Sequence, residues 1–105
     1  MNDREEYPFE SRHIEVPAGR MHYLDEGRGS PVVMVHGNPT WSFLYRDLIK
    51  RLRPEYRCVA MDHIGFGLSD KPPDWSSLPQ DHARNLALLI DELDLKQITL
   101  VVQDW

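Results

Sequence analysis

Cysteine is almost missing from this chain: Cys58 is the one thiol in 105 residues. That excludes an internal disulfide framework and a cysteine-rich zinc site. Basic charge is also scarce. Lys and Arg number 12 against 17 Asp and Glu, a formal net charge of −5, and no basic run stands out. Such a balance offers no electrostatic footprint for nucleic acid or for an anionic membrane surface. No apolar run approaches the roughly 20 residues of a membrane helix. The N-terminal Met1-Asn2-Asp3-Arg4-Glu5-Glu6 is charged with no apolar stretch behind it, so no signal peptide is visible. Internal repeats and low-complexity tracts are absent as well. The expectation from these absences is a cytoplasmic, metal-free chain without a membrane or nucleic-acid partner.

What is present is globular. Hydrophobic residues make up 41% and charged residues 28%, which argues against disorder, and the length suits one small domain. Pro and Gly fall between apolar segments. Arg12-His13-Ile14-Glu15-Val16 alternates, Pro17-Ala18-Gly19 reads as a turn, and Met21-His22-Tyr23-Leu24-Asp25-Glu26 follows, so an antiparallel hairpin is expected. Val32-Val33-Met34-Val35 is continuous rather than alternating, as in a strand covered on both faces. Trp41, Leu44, Tyr45, Leu48 and Leu52 mark one face of a helix, with Thr40 as the expected N-cap and Pro54 closing it. Arg57-Cys58-Val59-Ala60-Met61 predicts a second buried strand, and residues 62–73 a long loop rich in breakers. Ser77-Leu78-Pro79-Gln80 has capping-box spacing. Ala83, Leu86, Ala87, Ile90 and Leu93 predict the apolar face of a second helix, and residues 98–102 a third buried strand. The pattern is α/β: a hairpin, then a parallel βαβαβ unit. In such sheets chemistry sits just beyond the carboxyl ends of the strands. Those ends are His36-Gly37-Asn38-Pro39-Thr40, the loop from Asp62, and Gln103-Asp104-Trp105.

His36-Gly37-Asn38-Pro39-Thr40-Trp41, then Asp62-His63-Ile64-Gly65-Phe66-Gly67-Leu68-Ser69-Asp70-Lys71-Pro72, then Val101-Val102-Gln103-Asp104-Trp105 resemble the α/β-hydrolase fold, and within it the haloalkane dehalogenases and their near relatives. The match runs from about Ile14 to Trp105. The resemblance implies an N-terminal part of that fold: a partial domain over residues 1–105 with residues 1–11 as a tail. The nucleophile elbow falls at its end, and the cap and the C-terminal half of the core lie beyond it. It implies Asp104 as the nucleophile, with Asn38 and Trp105 as halide donors through side-chain amide and indole N–H. The backbone N–H groups of the same two residues would form the oxyanion hole. His36, Gly37, Pro39, Asp62, Gly65, Gly67 and Ser69 would shape the loops. No cofactor is implied; the partners are a small alkyl halide or related electrophile and water.

The chemistry of the residues agrees with that implication. An aspartate is ionised near neutral pH and attacks an sp³ carbon without a base. The product is an ester, whose carbonyl water can attack; a serine would leave an ether with no carbonyl to hydrolyse. Judged singly, Asp104 reads as a turn residue, Trp105 as packing, and Asn38 as a turn-former beside Pro39. Asp62, His63 and His82 lack metal-ligand spacing, Gly65 and Gly67 make no dinucleotide fingerprint, and Cys58 reads as a small hydrophobe. The alternatives are a β-lactone decarboxylase or epoxide hydrolase of the same fold, the latter commonly aromatic at the Asn38 position, and a truncated product without activity.

Overall fold

The computed structural model describes residues 7–37, 40–73 and 78–103. Strands β1 (Arg12–Val16) and β2 (Gly19–Glu26) form the expected hairpin, with Val16 opposite Gly19 across Pro17-Ala18. Strands β3 (Ser30–Val35), β4 (Tyr56–Met61) and β5 (Thr99–Val102) run parallel to one another, and β2 pairs antiparallel with β4. The five strands lie in the order β1-β2-β4-β3-β5. The sheet is thus mixed, a hairpin joined to a parallel βαβαβ unit.

Alternate side chains of the central strands enter different cores, which is why their sequences are continuously apolar. Val33, Val59 and Met61 pack on one face with Met21, Ile64 and Leu89. Val32, Met34, Cys58 and Ala60 pack on the other with Leu24, Tyr45 and Ile49. The Cys58 thiol is fully buried, and burial pushes it up to about 11, as befits an inert core residue. Across the hairpin junction, Arg57 of β4 makes a two-pronged ion pair with Asp25 of β2, at 2.9 and 2.6 Å.

Three expectations need correction. The segment after β3 is not one helix. Residues Ser42–Tyr45 form a 3₁₀ turn and only Arg46–Leu52 (α1) is α-helical. Three residues per turn bring Ser42 and Tyr45 to the inner face and leave Leu44 41% exposed, out of phase with the α-helical reading. The cap position is Trp41, not Thr40. The second helix, α2, spans Pro79–Glu92 with Leu78 at its cap position and Pro79 in its first turn, where a missing N–H costs nothing; Ser77 lies outside the described residues. Its buried face is centred on His82, Asn85 and Leu89, flanked by Leu86, Ile90 and Leu93, whereas Ala83 and Ala87 are exposed. Finally, β5 is not buried. It pairs with β3 alone among the described residues, and Leu100 and Val102 are 51% and 62% exposed. No described helix is long and apolar enough to cross a membrane.

Candidate active site

Parallel pairing sets Val35, the last residue of β3, opposite Val102, the last of β5. The chains leaving these two strands therefore start side by side at the carboxyl edge of the sheet. Gln103 ties them together. Its backbone N–H donates to the Val35 carbonyl at 3.1 Å. Its Oε1 accepts from the Gly37 N–H at 3.4 Å and lies 3.1 Å from the Thr40 hydroxyl. That hydroxyl is also 2.8 Å from the Gly37 carbonyl, which accepts the Thr40 N–H at 3.1 Å. Thr40 thus closes the 37–40 loop on itself instead of capping a helix.

His36 supports this loop from beneath. Its Nε2 accepts the His63 N–H at 2.9 Å, so the ring proton is on Nδ1, which donates to the Gly37 carbonyl at 2.7 Å. Burial, against the smaller opposing pull of that carbonyl and of Asp62, holds the imidazole below its ordinary pKa. Both nitrogens are occupied and the ring is neutral, an arrangement for holding backbone.

The loop after β4 turns around the Asp62 carboxylate, which is fully buried. One oxygen accepts the Ser42 N–H at 2.6 Å; the other accepts the Leu68 N–H at 3.0 Å and lies 2.9 Å from His22 Nδ1. Burial alone would raise this carboxyl, but the bonds from His22, Leu68 and Ser42 outweigh it and keep Asp62 below the usual carboxylate range. Ser69 donates to the Asp62 carbonyl at 2.6 Å and accepts the His22 N–H at 2.7 Å. Gly67 has a reason to be glycine: φ is +51°, and a Cβ there would lie 2.6 Å from the Asp62 carboxylate. At Gly65, φ is +95° with open space around it, so only the backbone conformation constrains that residue.

Between α2 and the ends of β3 and β5 lies an open cavity of about 260 Å³, lined among others by Val35, His36, His63, His82, Val102 and Gln103. Its histidines follow one another as tilted rings, with centroids 4.4 Å apart and planes at 56° for His36–His63 and 58° for His63–His82. Burial, with the neighbouring imidazoles, drives His63 down to about 3, and His82 is lowered for the same reasons. Among the described residues no group of His, Cys, Asp and Glu is arranged to hold a metal ion.

The structure thus brings together His36, Gly37, Asp62, Gly65, Gly67 and Ser69, all expected loop-shaping residues. Asn38, Pro39, Asp104 and Trp105 lie outside the described residues. Sequence reasoning missed the clamp formed by Gln103 and Thr40, and the partnership of His22 with Asp62. Only the position of Gln103 at the end of an apolar strand signalled the first; nothing local signalled the second.

A mixed sheet of this order, covered on both faces and with loops converging at the carboxyl ends of its parallel strands, defines an α/β hydrolase. The sequence profile of the alpha/beta hydrolase fold matches residues 30–105, and the chain belongs to that family. Within it the chain is 50% identical over 103 residues to haloalkane dehalogenase 2 of Mycobacterium tuberculosis, covering 98% of this chain and 36% of that protein. It is 46% identical over 101 residues to the cis-3-alkyl-4-alkyloxetan-2-one decarboxylase of Shewanella oneidensis, covering 93% of this chain and 32% of that one. The haloalkane dehalogenase DpaA from Paraglaciecola agarilytica superposes with a TM-score of 0.86 at 40% identity, over 95% of this chain and 36% of that structure. The chain therefore spans about a third of the length of these relatives.

Proposed function

We propose that this chain carries the nucleophile and the leaving-group donors of a hydrolase of the haloalkane dehalogenase type. The observation that supports this reading is the Gln103 clamp. It joins the residue before position 104 to the residue before position 38, at the ends of adjacent parallel strands. A nucleophile at 104 and an amide at 38 would then face one small substrate.

In this reading the ionised Asp104 carboxylate attacks the halogen-bearing sp³ carbon. The carbon–halogen bond breaks, and the halide leaves with its electron pair toward the Asn38 amide and the Trp105 indole N–H. The resulting alkyl ester is opened by water at its carbonyl carbon, with the backbone N–H groups of Asn38 and Trp105 facing the developing oxyanion. That second step needs a general base to activate water. His36 is not suited to it, since both of its nitrogens are hydrogen-bonded and its ring is held neutral. The base, the cap and the rest of the core are assigned to the length that the relatives have beyond this chain.

The test is a chimera of residues 1–105 with the remaining two thirds of the similar mycobacterial dehalogenase. Halide release from 1-bromobutane is expected, with loss of release in Asp104→Asn. The 105-residue chain by itself should release no more than one equivalent of bromide, as an adduct at Asp104 seen by intact mass. A chimera that folds but releases no halide overturns the reading. A second reading, β-lactone decarboxylation, is favoured by the 46% identity to the Shewanella protein; consumption of a 3,4-dialkyl β-lactone without halide release would establish it instead.

A further inference from the structure

Near the edge of the sheet opposite β5, three side chains line up in a second array of a different chemical type. Asp62 Oδ2 is 2.9 Å from His22 Nδ1, and His22 Nε2 is 3.0 Å from the Ser11 hydroxyl. Exposure falls in the order serine, histidine, aspartate: Ser11 is exposed, whereas His22 and Asp62 are fully buried.

The protons follow from the partners. An ionised carboxylate can only accept, so His22 Nδ1 carries the proton in their hydrogen bond. With no second proton on the ring, Nε2 carries a lone pair to which the Ser11 hydroxyl, 3.0 Å away, would be the donor. The base is also held in place. The His22 backbone N–H donates to Ser69 Oγ, and the Asp62 carboxylate is fixed by the Ser42 and Leu68 N–H groups. The segment carrying Ser11 is pinned at Tyr7, whose hydroxyl is 2.5 Å from Ser42 Oγ and whose ring packs on Phe43 and Trp41. Around the His22 ring stand His13, at 5.3 Å between centroids, and Tyr7, at 6.5 Å. Arg20 and Asp70 lie within electrostatic reach of His13.

We propose that Ser11, His22 and Asp62 form a hydrogen-bonded chain that makes Ser11 an acyl acceptor for small activated esters. It uses none of the residues to which the halide chemistry is assigned. Ser11 Oγ would attack the ester carbonyl carbon while its proton passes to His22 Nε2. The carbon–oxygen bond to the leaving group then breaks, and the departing alcohol or phenol takes that proton, leaving an acyl-serine and a neutral His22. Asp62 stays ionised throughout and acts as a positioning residue.

The experiment is to incubate the 105-residue chain with 4-nitrophenyl acetate and locate the acetyl group by tandem mass spectrometry. Ser30, also exposed, serves as the internal control. Ser11 should acetylate about 10²-fold faster than Ser30, the lower range of general-base assistance, and Ser11→Ala should remove that label. Substituting buried His22 risks unfolding, so the histidine is probed through Ser11→Cys. The introduced thiol should be alkylated by iodoacetamide with a midpoint below the ordinary cysteine value of about 8.5, while buried Cys58 stays silent. Labelling of Ser11 no faster than of Ser30, or an introduced thiol that titrates at the ordinary value, overturns the proposal. The label falls on Ser11 and the alkyl adduct on Asp104, so failure of either reading leaves the other standing.

Discussion

At the scale of single residues, buried imidazoles and one buried carboxylate both make the fold sensitive to acid, the imidazoles from the higher pH. His36, His63 and His82 all sit below their ordinary pKa because burial disfavours their charged forms. A folded pKa below the unfolded value means that the unfolded chain binds more protons in between. Stability is therefore full above about 6.5 and falls as pH drops from there toward about 3, the value for His63, by at most about 1.4 kcal/mol per pH unit for each histidine. Asp62 is also depressed, but from a carboxylate baseline, so its contribution is full above the usual carboxylate range and is lost as pH falls through and below it. Acid titration followed by near-ultraviolet circular dichroism should show tertiary structure lost progressively as pH falls below about 6.5. His63→Phe should move that loss to lower pH; an unchanged profile would mean that this ring does not titrate on unfolding. Asn38 belongs to this scale too. In the chimera, Asn38→Ala should remove about 2–4 kcal/mol of transition-state stabilisation for halide release, by analogy with an oxyanion donor. Its effect on any ester hydrolysis should be much smaller, and equal losses on the two substrates would make Asn38 a loop former only.

At the scale of elements, one side chain and one backbone bond of Gln103 join the β3 and β5 loops. Gln103→Ala should release the Gly37 N–H and leave the Thr40 hydroxyl with the Gly37 carbonyl alone, the sheet register staying intact. A misplacement of about 1 Å at a reacting centre costs about 10²-fold in rate. We therefore expect a drop in kcat of that order in the chimera with little change in KM, and partial recovery in Gln103→Glu, whose carboxylate still offers an acceptor to both donors. What was legible in the sequence at this scale follows from periodicity. The central strands declared themselves because each is covered on both faces, and the hairpin because it alternates. The phase of the first helix was not legible, since a 3₁₀ turn around Ser42 has no apolar signature of its own; its cause is the Ser42 N–H reaching Asp62 across the sheet. The inner face of α2 was misread by one position because His82 and Asn85 are polar yet buried, with the His82 ring against His63. Asp104, Asn38 and Trp105 were legible only as motif members. The Ser11–His22–Asp62 array was invisible, because His22 and Asp62 are 40 residues apart.

At the scale of the whole molecule, the sheet ends on one side in an apolar edge. Strand β5 presents Leu100 and Val102 to solvent, and its outer backbone is unpaired among the described residues. An exposed apolar edge strand invites pairing with another copy. The 105-residue chain should therefore self-associate in a concentration-dependent way, measured by light scattering after size-exclusion chromatography. Leu100→Lys should shift it toward monomer. A wild-type chain that remains monomeric at high concentration would show that the edge is protected.

The strand order has a further consequence, for the chain as it leaves the ribosome. Strand β3 pairs with β4 and β5, both made after it, and with nothing made before it. The hairpin of β1 and β2 can close as soon as it is synthesised, but its inner edge must wait for β4 as well. The emergence of β4 is therefore the event that commits the sheet: one strand captures β2 on one side and β3 on the other. Until then the most apolar segment, Val32-Val33-Met34-Val35, travels unpaired, and it is during this interval of synthesis that a nascent chain of this topology depends most on its chaperones.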